Sequence, residues 1–206
     1  MAETSSFSPD DLQLLSDRDF FQKKISISRK IRNTLEALHS QLATEASTRT
    51  LLAPDECNLQ ALQYVKGEHL EHFPYQYLDF PRHYTRQTKF AFRSLFWWGH
   101  HIVFALIVEG PLVKQYRKNF FNRFSEVADR QLCLSLSPSL WEWKAGPGLT
   151  MDITHQRRSE LAAVLDRRTF FKIGRYIPFN DPLVNSGEIL HEGLRTFRAI
   201  LPIISP

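Results

Sequence analysis

One segment constrains the fold of this chain more than any other: residues 89–110, KFAFRSLFWWGHHIVFALIVEG. Residues 91–98 and 102–108 are rich in aromatic and β-branched side chains, and Gly99-His100 separates them. Two such runs, joined by a pair of residues that begins with glycine, predict a β-hairpin with a type II′ turn. Because both faces of this hairpin are mostly apolar, we expect two central strands that are covered on both sides.

Helix signals flank the hairpin towards both ends of the chain. The sequence Ser8-Pro9-Asp10-Asp11 offers a capping hydroxyl, a proline at the first helical position and acids in the first turn, which together predict a helix start. Residues 17–46 then repeat apolar side chains at spacings of three, four and seven, as a long amphipathic helix does. Asp181-Pro182 predicts the start of a last helix, and shorter helices are expected at residues 111–127 and 157–167.

Further strands are expected at residues 75–80, 132–136, 149–153 and 169–177. Residues 81–87, PRHYTRQ, are predicted to form a basic loop that leads into the hairpin. The pattern as a whole predicts a single α+β domain over residues 7–206, preceded by a flexible tail, residues 1–6. Its sheet is expected to be mainly antiparallel or mixed, with four to six strands, and to be packed by the long N-terminal helix and the C-terminal helix.

Composition and charge narrow the class of protein. Cys57 and Cys133 lie far apart and belong to no CxxC pair, so neither a disulfide scaffold nor a zinc site is expected. The polar, acidic start MAETSSFSPDD lacks the character of a signal peptide, and the uncharged run at 94–108 is shorter than a membrane helix. We therefore predict a soluble, cytoplasmic protein without a membrane partner.

The order of elements resembles a known family. The segments that carry the resemblance are FSPDDLQLL before a long helix, HHIVFALIVEGP in the paired strands, and KIGRYIP before the C-terminal helix. They are similar to the YktB-like family of small bacterial α+β proteins. The resemblance spans residues 7–180 and implies the α+β fold, but it implies no particular activity. The C-terminal helix and the WWGHH turn lie outside it.

Arg93 is the most unusual residue of the predicted hairpin. It shares a strand face with Ala91, Leu95 and Trp97, and a two-residue turn would place it opposite Leu106. A guanidinium in such a layer needs a partner, because burying it unpaired is very costly. One alternative is a structural ion pair, for which Asp79, Glu109 and Asp152 are the candidate partners.

The other alternative is a ligand site around Arg93. Basic residues from the preceding loop and from the late strand could join it in an anion-binding wall; these are Arg82, His83 and Arg86, with Lys172 or Arg175. Our leading hypothesis is a non-catalytic cytosolic domain that binds a small anionic ligand. Its pocket would be lined by Arg93, Trp97 and His101, with Arg82 and His83 at the rim, and no metal or cofactor is predicted.

Two other functions remain as alternatives. The basic stretches at residues 23–32 and 114–123 could contact nucleic acid, whose binding would weaken steeply with salt. An enzyme whose residues converge only in the fold is also open, although no P-loop, nucleophile elbow or dinucleotide fingerprint is present. His191-Glu192 begins like a zinc-protease helix but lacks the second histidine. The apolar seam of the last helix fits a monomer or a homodimer equally well.

Overall fold

The computed structural model describes residues 6–206 as an α+β fold on one sheet of seven antiparallel strands. The strands are β1 (Gln63–Leu70), β2 (Phe73–Tyr84), β3 (Lys89–Trp97), β4 (His101–Glu109), β5 (Cys133–Ser135), β6 (Thr150–Asp152) and β7 (Phe170–Pro178). The helices are α1 (Pro9–Ser16), α2 (Arg18–Ser47), α3 (Val113–Asn122), α4 (Phe124–Val127), α5 (Arg158–Asp166), α6 (Pro182–Asn185) and α7 (Ile189–Ile204). Apart from Ser6, the predicted tail lies outside the described residues.

The strands lie in the order β1-β2-β3-β4-β7-β5-β6. Strands β1 to β4 form a meander, and β7 inserts between β4 and β5. The predicted α+β class is confirmed, but the predicted number of four to six strands was too low. The missing strand is β1, QYVKGEHL, which is polar and lies at the edge of the sheet, where alternation of apolar residues is weak.

The central hairpin is confirmed, but its predicted register was wrong by one position. Trp97 pairs with His101, so the turn holds three residues, 98–100, instead of two. The His100 N–H donates to the Trp97 carbonyl at 3.1 Å, and Gly99 lies at the third position of this turn with φ +73°. A type II turn requires positive φ at that position, and glycine adopts it without a steric penalty.

Other predicted boundaries also differ from the observed ones. The expected loop at 81–87 is shorter, because β2 continues to Tyr84 after a bulge between Asp79 and Arg82. The expected helix at 111–127 begins at Val113 and divides into α3 and α4. The last helix divides into α6 and α7, with Gly187 at φ +81° between them.

Helices cover one face of the sheet. The long helix α2 buries one face from Ile31 to Ala46 and packs beside α7. Gly193 of α7 allows close packing here, because a Cβ at this position would lie 2.8 Å from Leu38 of α2 and 2.9 Å from Phe104 of β4. This face holds the larger apolar core, including Phe92 and Phe197 in edge-to-face contact.

The opposite face, hereafter the loop-covered face, is packed in a different way. Residues 136–149, which connect β5 to β6, cross it and bury Leu140 and Trp143 against it. Its apolar strand residues are Leu95, Trp97, Val103, Ala105 and Ile107. Arg93 and Lys172, two buried cations of the strands, lie in this layer. Among residues 6–206, no helix combines the length and apolar character needed to cross a bilayer.

Candidate functional site

Arg93 is held by a buried ion pair. The observed register places it opposite Ala105 of β4, not Leu106, and opposite Asp79 of β2. Its Nε and Nη2 donate to the two carboxylate oxygens of Asp79 at 2.7 Å each, which is the bidentate geometry of a strong pair. Arg93 is 6% exposed and Asp79 is fully buried. The structural partner of Arg93 is therefore one of the three carboxylates that the sequence suggested.

Aromatic rings surround this ion pair. The Arg93 Cζ lies 3.8 Å from the ring centroid of Tyr77, 5.1 Å from that of Trp143 and 5.5 Å from that of Trp141. The Tyr84 hydroxyl donates to Asp79 Oδ2 at 2.9 Å. Burial lowers the pKa of Arg93, but the hydrogen bonds and charge of Asp79 outweigh burial and raise it above its usual range. The guanidinium is thus fixed, charged and enclosed by π faces.

A second cation, Lys172 of β7, is buried a short distance away. Its Nζ donates to the carbonyls of Leu140 and Glu142 in the covering loop, and lies 3.9 Å from the ring centroid of Trp143. Burial lowers the pKa of Lys172 to about 7; the charge of Glu142 opposes this shift and the charge of Arg93 adds to it. The Trp143 ring therefore lies close to two buried basic groups.

A groove of about 400 Å³ opens beside Arg93 on the loop-covered face. Five aromatic side chains dominate its lining, which consists of Tyr75, Tyr77, Tyr84, Trp141, Trp143, Gln63, Leu70, Leu95 and Arg93. Tyr75 and Tyr77 are stacked with their centroids 6.0 Å apart, while Trp141 is 46% exposed. Arg93 is the charged residue of this lining, and its partner Asp79 is fully buried. We call this the aromatic groove.

The two predicted rim residues, Arg82 and His83, lie on opposite faces of the sheet. Arg82 pairs with Ala91 on the loop-covered face, and its Cζ lies 5.1 Å from the ring centroid of Tyr84, a groove residue. His83 pairs with Phe90, which belongs to the helix-covered core. The structure therefore brings Arg82 together with Arg93 and places His83 on the other side of the sheet.

Of the three residues predicted to line the pocket, Arg93 lines the aromatic groove, whereas Trp97 and His101 do not. Both are engaged in contacts within the chain. Trp97 is fully buried; its Nε1 donates to the Leu70 carbonyl at 3.0 Å. The His101 Nε2 lies 2.9 Å from the Trp143 carbonyl, and burial lowers the pKa of His101. These two side chains fix the backbone positions of Leu70 and Trp143, which line the groove.

Several residues of the site were not expected to belong together. Tyr75 and Tyr77 alternate along β2, so the sequence YQY carried a period-two signal that both rings share a face. Tyr84 joins them only because the bulge in β2 changes which side chains point to which face. Of the two late-strand cations named as alternatives, Lys172 lies on this face, whereas Arg175 donates to Glu192 of α7 on the helix-covered face.

In the basic stretches considered for nucleic-acid binding, four residues have side-chain partners within the chain; these are Lys24, Arg32, Arg117 and Arg123. On α3, Arg117 donates to the carbonyls of Leu165 and Asp166, and Arg123 just after it donates to carbonyls near the C-terminus. On α2, Arg32 pairs with Glu36. The described part of the chain, residues 6–206, contains no cluster of three or more His, Cys, Asp or Glu side chains that could hold a metal ion.

No protein-family model matches this chain, and no curated protein or solved structure is significantly similar to it. The resemblance to the YktB-like family therefore stays a prediction. What can be inferred about function comes from the site itself.

Proposed function

We propose that this protein is a non-catalytic, cytoplasmic domain that binds a small anionic ligand carrying a flat ring, in the aromatic groove. The observation that carries the proposal is an open groove lined by five aromatic rings, with the Arg93 guanidinium in its wall. Ligand sites in proteins are typically concave and mainly apolar, with a few fixed polar groups that orient the ligand. The aromatic groove has this composition.

The aromatic lining supports a ring on the ligand. Trp141 is exposed on one wall, and Tyr75 and Tyr77 form a stacked pair on the sheet. A flat ring inserted here would stack on these side chains, and base–aromatic stacking elsewhere contributes about 1–3 kcal/mol per ring. A purely aliphatic ligand would gain less.

The charges around the groove support an anionic group on that ligand. Asp79 and Glu142 supply two negative charges, whereas Arg82, Arg93 and Lys172 together supply up to three positive charges. Among residues 6–206, no acceptor lies within hydrogen-bond distance of the buried Arg82 Nε. Arg93 uses two of its five N–H groups on Asp79, which leaves the others for a ligand.

The proposal gives no catalytic role to Lys172, although its lowered pKa is a property of many catalytic lysines. The residue is 1% exposed, and its ammonium donates to two backbone carbonyls under the Trp143 ring. A substrate in the aromatic groove would meet the indole of Trp143 before it met the amine.

The test is isothermal titration of the protein with aryl carboxylates, with their neutral amides and with aliphatic carboxylates of equal charge. We expect the aryl carboxylates to bind most tightly. Arg82→Gln and Trp141→Ala should each weaken that binding at least tenfold, or about 1.4 kcal/mol. Arg86→Gln is the matched control, because Arg86 is exposed in the turn after β2.

Two results would reject the proposal. One is equal affinity of the Arg82→Gln and Arg86→Gln variants for every ligand. The other is the absence of binding to any aryl carboxylate at millimolar concentration in a protein whose circular dichroism shows it to be folded.

A further inference from the structure

The N-terminal helices expose an unusual amount of apolar surface. Every residue of α1 is exposed, and the first buried residue of α2 is Ile31. Of the large apolar side chains exposed within residues 6–206, eight lie between positions 7 and 27: Phe7, Leu12, Leu14, Leu15, Phe20, Phe21, Ile25 and Ile27. We call residues 7–30 the N-terminal arm. It contributes little to the core of its own chain.

The exposed area of the arm is large enough for a stable interface. With roughly 100 Å² accessible on each, the eight side chains expose on the order of 800 Å². About 800 Å² is the area that each partner contributes to a standard protein–protein interface.

Charge is unevenly distributed along the same helices. Residues 10–19 carry four aspartates and one arginine, whereas residues 23–32 carry five basic residues and no acid. The two stretches flank Phe20 and Phe21, whose rings meet edge to face at 5.3 Å. The arm therefore has an apolar centre with an acidic stretch on one side and a basic stretch on the other. Such a surface is complementary to a copy of itself rotated by 180°.

We propose that the N-terminal arm is the interface of a homodimer, in which two arms align antiparallel about a two-fold axis near Phe20 and Phe21. In this arrangement the acidic stretch of each chain faces the basic stretch of its partner, and the apolar side chains between them are buried. A two-fold interface uses the same patch on both copies and must be self-complementary, as this patch is.

The same observations argue against an anionic membrane as the partner of the arm. Interfacial helices combine one apolar face with a polar face rich in Lys and Arg. Here residues 10–19 are acidic and would be repelled by an anionic headgroup layer. When two arms pair, both charged stretches face a stretch of opposite charge. An anionic surface would attract only residues 23–32.

Sedimentation velocity at chain concentrations from about 1 to 100 µM tests the proposal. The wild type should sediment as a species of twice the 24.1 kDa chain mass. Ile25→Glu should raise the dimer dissociation constant at least a hundredfold, because the two-fold axis places two new carboxylates in the interface. Ile25 is 62% exposed in the single chain, so the substitution should leave the circular dichroism spectrum unchanged.

Leu62→Glu is the matched control, because Leu62 is 39% exposed and lies outside the arm. The proposal is supported if this variant remains dimeric while Ile25→Glu is monomeric. It is overturned if the wild type is monomeric at 100 µM, or if both variants dimerise as the wild type does. A monomer that co-sediments with phosphatidylserine-containing vesicles would also overturn it and would identify a membrane surface instead.

Discussion

Replacing Asp79 with alanine is expected to destabilise the protein by about 3–5 kcal/mol. The substitution leaves the Arg93 guanidinium buried without its counter-charge, and removing one member of a buried ion pair typically has this effect. It also removes the acceptor of the Tyr84 hydroxyl. The free energy of unfolding from urea titration, followed by tryptophan fluorescence and circular dichroism, measures the loss.

Two further variants make this expectation specific. Glu36→Ala breaks the exposed pair with Arg32 and should change stability by less than about 1 kcal/mol. The double substitution Arg93→Met with Asp79→Leu should regain most of the stability lost by Asp79→Ala, because apolar replacement of a whole buried pair is often neutral. If Asp79→Ala were no more harmful than Glu36→Ala, water would have to reach Arg93, contrary to the structure.

The second large effect is a rise in stability with pH, caused by Lys172. Its pKa falls from 10.5 to about 7 on folding because of burial. Between these values the unfolded chain binds more protons than the folded one, so the free energy of unfolding increases with pH. The expected slope is up to about 1.4 kcal/mol per pH unit above pH 7. Below pH 7 the amine is charged in both states, and this contribution no longer changes.

Groups whose pKa values are raised on folding limit this increase in the free energy of unfolding at high pH. Burial, followed by a hydrogen bond to Asp152, raises the pKa of Cys133 from 9.0 to about 12, and burial also raises the pKa of Tyr176. Their contribution to the free energy of unfolding decreases once the thiol and the phenol of the unfolded chain ionise, above about pH 9. The window for the Lys172 effect is therefore pH 7–9, and the expected gain across it is about 2 kcal/mol.

Urea titrations at pH 7, 8 and 9 on the wild type and on Lys172→Met provide the measurement. The slope should disappear in the variant. The comparison concerns the pH dependence and not the absolute stability, because the substitution also deprives the Leu140 and Glu142 carbonyls of a donor. Lys144→Met is the control, since Lys144 is a half-exposed basic residue of the same loop and pairs with Glu71. An unchanged slope in Lys172→Met would assign the pH dependence to another group.

Local patterns in the sequence were sufficient to predict much of the fold. The hairpin of β3 and β4 was predictable because aromatic and β-branched residues dominate both strands, and α2 because its apolar stripe has helical spacing. Strand β1 was missed because its pairing with β2, and not its own apolar content, makes it a strand. The register of the hairpin was missed because glycine suits both a two-residue and a three-residue turn.

The candidate site was predictable only in part. Arg93 could be identified because a cation among apolar strand residues is a local anomaly. Three carboxylates were candidates for its partner. The choice among them depends on which strands are neighbours in the sheet, and the local sequence does not specify this. The position of Tyr84 depended on a bulge, and the burial of Lys172 depended on residues 136–149, which show no regular periodicity and yet cross the face of the sheet. Contacts between residues that are far apart in the sequence therefore determine which side chains form the site.

The insertion of β7 between β4 and β5 has a consequence for the order in which the chain can assemble on the ribosome. Strands β1 to β4 pair with their sequence neighbours and can form before the rest is synthesised. The short β5–β6 hairpin has no edge to join until β7 emerges, because β5 pairs with β7 and not with β4. Pulsed hydrogen exchange during refolding should accordingly protect the amides of β3 and β4 before those of β5; simultaneous protection would indicate a single concerted step.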